Sequence, residues 1–161
     1  MNQIPKVSNK VDVEFICNAY HPDFAELEKL NVRMSIKGDA ESESYLLVPD
    51  SRQGWAGTLG EVIDAHYEGR DKLVIDLTDI RPMGSEIKGF GGIASGPVPL
   101  VQMLQRVNDI LNNRVNDYVT PTEWGDVVQN IGCCVVAGNV RRTALILIGD
   151  KDDKEYVESK N

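Results

Sequence analysis

The sequence predicts an α/β fold, and three observations predict it. Lys72–Leu77 and Thr143–Ile148 are compact apolar runs with the composition of parallel strands buried on both faces. Between them, Pro97–Leu111 and Thr120–Val136 combine helical apolar spacing with helix-start signals. The chain has 161 residues, 42% of them hydrophobic, enough to bury a core without disulfide or metal staples.

The elements follow in order. Val11–Cys17 is rich in β-branched and aromatic residues and partly alternating, which reads as a strand. His21–Leu30 has Pro22 near its start and acids in its first turn, which reads as a short helix. Val32–Ile36 and Tyr45–Val48 read as two strands around the acidic stretch Gly38–Ser44, a solvated turn or hairpin tip. Asp50 and Ser51 can cap a helix over about Gln53–Tyr67, with Trp55, Leu59, Val62, Ile63 and Tyr67 at helical spacing. His66 reads as a surface residue of that helix, and His21 as a turn residue. Lys72–Leu77 is followed by a long Gly-rich stretch, Arg81–Gly96. Pro97 then opens a helix capped by Ser95 or Gly96, with Val98, Val101, Leu104, Val107, Ile110 and Leu111 facing inward. Thr120-Pro-Thr-Glu123 is a capping box with proline at the first helical position. Gly138-Asn139 ends that helix, Thr143–Ile148 is the next strand, and Asp152 caps a last helix. The first part is α+β in character and the second α/β, with a boundary near Gly69-Arg70.

Charge narrows the function classes. Lys and Arg number 17 and Asp and Glu 25, a net charge of -8 that argues against a general nucleic-acid binder, though not against a local basic pocket. No apolar run is long enough to span a membrane, and the N-terminus has no apolar signal core. A cytoplasmic setting is expected, with no membrane and no nucleic-acid partner. Cys17, Cys133 and Cys134 form neither a disulfide framework nor a Cys-x-x-Cys zinc pair, and no metal site is expected.

Two segments stand out chemically. Arg81–Pro97 joins a strand to a helix start and holds five glycines, Gly84, Gly89, Gly91, Gly92 and Gly96, together with Arg81 and Lys88. Close backbone approach, free N–H groups at a helix start and cationic side chains suit a phosphate or nucleotide. The same stretch also reads as a plain strand-to-helix crossover, and it is neither a Walker A loop nor a dinucleotide fingerprint. Ala137–Thr143 places Arg141 and Arg142 between a Gly-Asn break and a strand. Paired guanidiniums suit phosphate or carboxylate, and equally suit surface ion pairs on an acidic chain. Cys133 and Cys134 lie on a helix with their side chains about 100° apart, so at least one belongs to the core. Asp76 and Asp79 at the strand exit suit Mg²⁺ or a ribose hydroxyl, but turn capping is the simpler reading.

Three segments carry a family resemblance. Pro49–Trp55, Asp76–Gly92 with Ala94–Pro97, and Val135–Arg142 resemble, in order and spacing, signatures of the monomeric adenosylcobalamin-dependent (class II) ribonucleoside-triphosphate reductases. The resemblance is strong over Tyr45–Tyr156. It implies an internal fragment: residues 72–161 as part of a ten-stranded α/β barrel, preceded by a small α+β insertion domain over residues 1–71 that helps form a deoxynucleotide effector site. Arg81, Ser85, Glu86, Lys88, Gly89, Gly91 and Gly92, with Ser95 and Gly96 following, correspond to the first specificity loop. Gly138, Asn139, Arg141 and Arg142 correspond to the second. The implied parent is a thioredoxin-dependent oxidoreductase that replaces the ribose 2′-hydroxyl of a nucleoside triphosphate by hydrogen, with adenosylcobalamin starting a cysteine-radical reaction. This chain lacks the Asn-x-Cys-x-Glu context of the radical cysteine, and Cys17 does not match the first redox cysteine. No catalytic residue and no cofactor of its own is therefore expected in it. The expected partners are a dNTP effector, an NTP substrate and thioredoxin, all of the complete enzyme, and the remaining reductase fragments. A free-standing deoxynucleotide-binding module or a complementing piece of a split reductase is the alternative.

Overall fold

The structure, a computed structural model, describes residues 4–35, 45–88, 91–137 and 143–159. Strand β1 (Asp12–Cys17) becomes steadily more buried along its length, so that Phe15, Ile16 and Cys17 enter the core. It pairs in parallel with β4 (Lys72–Asp76) from Asp12↔Lys72 to Ile16↔Asp76. Two short strands complete the sheet, β2 (Arg33–Met34) against β1 and β3 (Leu46–Leu47) against β4. The order is β2-β1-β4-β3, all parallel. β2 and β3 therefore occupy opposite edges and do not form the two arms of a hairpin. The acidic stretch Gly38–Ser44 expected at its tip lies outside the described residues.

Five helices are described. α1 (Phe24–Glu28) follows β1 and buries Leu27. α2 (Arg52–Glu68) starts at Ser51, whose side chain accepts the Gly54 N–H at 3.0 Å, as the sequence anticipates. α3 (Val98–Asn112) buries Leu100, Val101, Met103, Leu104, Val107 and Leu111, the stripe expected from its spacing with small shifts. Neither Ser95 nor Gly96 caps it: Pro97 is already helical at φ -78, so the chain enters the helix one residue beyond the left-handed Gly96. α4 (Pro121–Val136) has the expected capping box, with Thr120 Oγ1 accepting from Glu123 N and Glu123 Oε2 accepting from Thr120 N. α5 (Lys154–Glu158) is capped by Asp153 rather than Asp152.

One core cluster joins these pieces, drawing on β1, α1, β4, α2, α3 and α4. The Gly69–Asp71 turn joins α2 to β4, with Gly69 and Asp71 exposed, and β4 is hydrogen-bonded between β1 and β3. His66 contradicts its surface assignment. It is fully buried, with Nδ1 2.7 Å from the Val62 carbonyl and Nε2 3.0 Å from Asn112 Oδ1. Position 66 follows Val62 by four residues, so it lies on the apolar stripe, and Asn112 gives its ring a polar partner there.

Thr143–Ile148 contradicts its strand assignment. Residues 143–150 carry no strand, and Leu147 packs on Gly125 while Thr143 approaches Gly132, so the segment lies along α4. Ile146 and Ile148 are 82% and 89% exposed. A strand exists only where a neighbour supplies its hydrogen bonds. Both edges of the described sheet are held by β2 and β3, and nothing described pairs with this segment.

Candidate functional site

The Gly-rich stretch after β4 is an arm, not a slack crossover. Within it β5 (Glu86–Ile87) and β6 (Gly92–Ile93) form an antiparallel pair. Below them Gly84 N donates to Ala94 O at 3.0 Å and Ala94 N to Ser85 O at 2.8 Å. Ser85 Oγ donates to Pro82 O at 2.8 Å and tightens the foot of the arm.

The arm leans over the start of α2 and encloses, with α3 and α4, a cavity of about 960 Å³. That volume lies at the upper end of the range usual for small-molecule sites, about 300–1,000 Å³. One wall is polar: Asp50, Ser51, Arg52 and Gln53 at the N-terminus of α2, with Arg81, Ser85, Glu86 and Lys88 of the arm. The other is apolar: Trp55, Leu59, Ile87, Met103, Ile131 and Cys134. Arg81 Nε donates to Asp50 Oδ2 across the polar wall, leaving the guanidinium 39% exposed. An anion entering there meets a helix N-terminus with Arg81 and Lys88, set beside the carboxylates of Asp50 and Glu86.

The cavity thus brings together Arg81, Ser85, Glu86, Lys88 and Ser95 of the expected site. Gly91, Gly92 and Gly96 belong to the arm and its second foot but do not line the cavity. Gly89, Gly138, Asn139, Arg141 and Arg142 lie outside the described residues. Sequence reasoning missed Asp50, Arg52, Gln53 and Trp55 as site residues. The signal was available, since they fall in the Pro49–Trp55 signature, which was read as a helix start and a family likeness but given no site role.

Asp76 takes the simpler of its two roles. Its Oδ1 accepts from Thr78 N at 2.9 Å and Thr78 Oγ1 at 2.6 Å, which closes the turn after β4. Among the described residues no three His, Cys, Asp or Glu side chains are grouped to hold a metal.

Two of the three cysteines, Cys17 and Cys134, are buried thiols. Burial, with Asp76 nearby, pushes the Cys17 thiol up to about 11, and burial, with Cys133 adjacent, does the same for Cys134. Cys133 is exposed. Iodoacetamide at about pH 8 should therefore add one group quickly, at Cys133, seen by intact mass and peptide mapping. Three equally fast additions would mean that Cys17 and Cys134 are not buried. Both raised thiols stay protonated in the native chain to about 11, while unfolded thiols ionise from 9.0. The unfolded state then binds fewer protons, so stability is full below about pH 9 and falls between pH 9 and 11.

Among the described residues no histidine lines the cavity, and its one cysteine, Cys134, is buried.

Comparison with known proteins agrees on one family. The family model for the B12-dependent ribonucleotide reductase insertion domain matches residues 22–111, on both sides of the Gly69–Asp71 turn. An adenosylcobalamin-dependent ribonucleoside-triphosphate reductase of Lactobacillus leichmannii is 38% identical over 167 aligned positions, covering 99% of this chain and 22% of that protein. The corresponding protein of Lactobacillus gasseri is also 38% identical, covering 99% of this chain and 23% of its own. A crystal structure of a B12-dependent (class II) ribonucleotide reductase superposes with a TM-score of 0.85 at 35% identity, covering 98% of this chain and 22% of that one. The chain thus spans between a fifth and a quarter of the length of the relatives it matches.

Proposed function

Since the chain belongs to the B12-dependent ribonucleotide reductases, matching their insertion-domain region, we propose that it holds the deoxynucleotide effector of such an enzyme and sets its choice of substrate. The observation that carries this reading is the two-sided cavity. Its polar wall, with the α2 N-terminus, Arg81 and Lys88, receives a triphosphate. Its apolar wall, with Trp55 and Leu59, receives a base. Residues 1–71 supply the insertion side and residues 72–161 the barrel side. Arg81–Gly92 acts as the first specificity loop and Gly138–Thr143 as the second. The complete enzyme reduces ribonucleoside triphosphates with adenosylcobalamin and thioredoxin. This segment supplies regulation, and the radical and redox cysteines come from the rest of the enzyme.

The test is thermal unfolding of the chain with dATP, dGTP, dTTP, dCTP, a ribonucleoside triphosphate and inorganic triphosphate. At least one deoxynucleotide should raise the melting temperature, since a ligand at 100 times its Kd stabilises by about 2.7 kcal/mol. Arg81→Ala should weaken that ligand about tenfold to a hundredfold, the loss of one charge-assisted contact. A flat response to every deoxynucleotide at millimolar concentration would sink the proposal. So would a response reproduced in full by inorganic triphosphate, which would leave only an anion site.

A further inference from the structure

Asp23 occupies the N-cap position of α1, where an aspartate ordinarily bonds to its own helix, yet its side chain makes no capping bond. Its carboxylate is turned to the arm instead, and Oδ2 accepts the Met83 N–H at 2.8 Å. The same oxygen lies 2.5 Å from where a Cβ on Gly96 would sit, and Gly96 has φ +71. Met83 is at the first foot of the arm and Gly96 at the second, so one carboxylate oxygen stands between both feet. Only a glycine leaves it room there and adopts the backbone conformation without strain.

His21 completes the grip. It is 8% exposed, its Nδ1 accepts the Asp23 N–H at 3.1 Å, and its Nε2 lies 2.7 Å from the Ile80 carbonyl. These partners assign the proton to Nε2, which donates to Ile80 just before Arg81. The anchor behind them is firm: Leu27 is fully buried, and Gln105 Nε2 donates to Leu30 O at 2.8 Å, tying the end of α1 to α3.

Neither His21 nor Asp23 lines the cavity. We propose that His21 and Asp23 are positioning residues that clamp the two feet of the arm and thereby fix Arg81, Ser85, Glu86 and Lys88 over the bound nucleotide. Their effect passes through the arm, not through contact with ligand. The inference rests on the reading of the cavity as a deoxynucleotide site, and it gives the β1–α1 turn a share in effector selectivity.

The experiment pairs two readouts on the same chain: amide hydrogen exchange at residue resolution, and affinity for the four deoxynucleoside triphosphates. In Asp23→Ala, exchange of the Gly84 and Ala94 amides should speed up about tenfold or more while the β1–β4 ladder keeps its protection. The Kd of the preferred deoxynucleotide should rise about tenfold. Asp23→Asn keeps an acceptor for Met83 N–H and should restore both. Gly96→Ala pushes on the same carboxylate from the other side and should reproduce the Asp23→Ala pattern, which covers the case in which Asp23→Ala does not fold. Unchanged arm exchange in Asp23→Ala and Gly96→Ala overturns the clamp. A loosened arm with unchanged Kd overturns its positioning role. If the unsubstituted chain binds no deoxynucleotide, the effector reading fails and the positioning role falls with it, while the exchange data still decide whether the clamp exists.

Discussion

Asn112→Leu is expected to destabilise the chain by about 3–5 kcal/mol, because it removes the partner of two buried polar groups at once, the Val11 N–H and His66 Nε2, each worth about 1–3 kcal/mol when unpaired. Asn112 Oδ1 accepts the Val11 N–H at 2.9 Å and lies 3.0 Å from His66 Nε2, while its Nδ2 donates to the Val11 carbonyl at 3.0 Å. Val11 is 1% exposed and His66 0%, so water cannot replace the lost partner. The Val11 backbone leads into β1 and His66 sits on α2, so one amide at the end of α3 ties three elements together. The His66 carbonyl extends the tie by accepting from Ser8 N at 2.8 Å and Asn9 N at 3.3 Å. Asn108→Ala is the control. Asn108 donates only a second bond to the Val11 carbonyl, at 3.2 Å, and its loss should cost about 1 kcal/mol. Urea unfolding of the three proteins gives the comparison, and a cost for Asn112→Leu no larger than that of Asn108→Ala would show that this tie does not hold the fold.

Gly54→Val is expected to cost about 2–4 kcal/mol, combining overpacking with partial loss of a helix cap, and to abolish deoxynucleotide binding at the same time. A Cβ on Gly54 would strike the Pro49 carbonyl oxygen and lie 2.8 and 2.9 Å from Pro49 Cβ and Cδ. The proline cannot yield by rotating a side chain, so the first turn of α2 must move. That turn carries Ser51, Arg52, Gln53 and Trp55 into the cavity. Gly57 and Gly60 lie on the same helix with nothing within 4 Å of an added Cβ. Alanine at either should stabilise by about 0.4–1 kcal/mol, through a less flexible unfolded chain. Equal tolerance of substitution at all three glycines, read from unfolding curves, would rule out the close approach of Pro49.

The sequence was most legible where the physics is local. The Thr120–Glu123 capping box needs four consecutive residues and nothing else, and it forms as read. The stripe of α3 is legible because its period belongs to one helix. The Pro49–Trp55 and Asp76–Gly92 signatures were legible as a family likeness, and the family model and the solved reductase agree with it. Legibility failed where two distant segments must meet. Two-residue strands such as β2, β3, β5 and β6 carry almost no pattern of their own, so their partners could not be assigned. His66 was misplaced because a histidine on an apolar stripe is exposed or buried according to whether a partner such as Asn112 awaits it, 46 positions away.

By itself, then, the sequence determined the α/β class, the long helices with the starts of α2 and α4, a strand within Lys72–Leu77 and the family. These follow from propensity, capping and apolar period, which act within a few residues. Tertiary structure alone decided that β2 and β3 lie on opposite edges of one sheet, that Thr143–Ile148 lies along α4, and that Asp50, Trp55, Arg81 and Lys88 line one cavity. Strand pairing, burial and a binding wall are properties of two segments at once, and each is settled by which surfaces compete for the same partner.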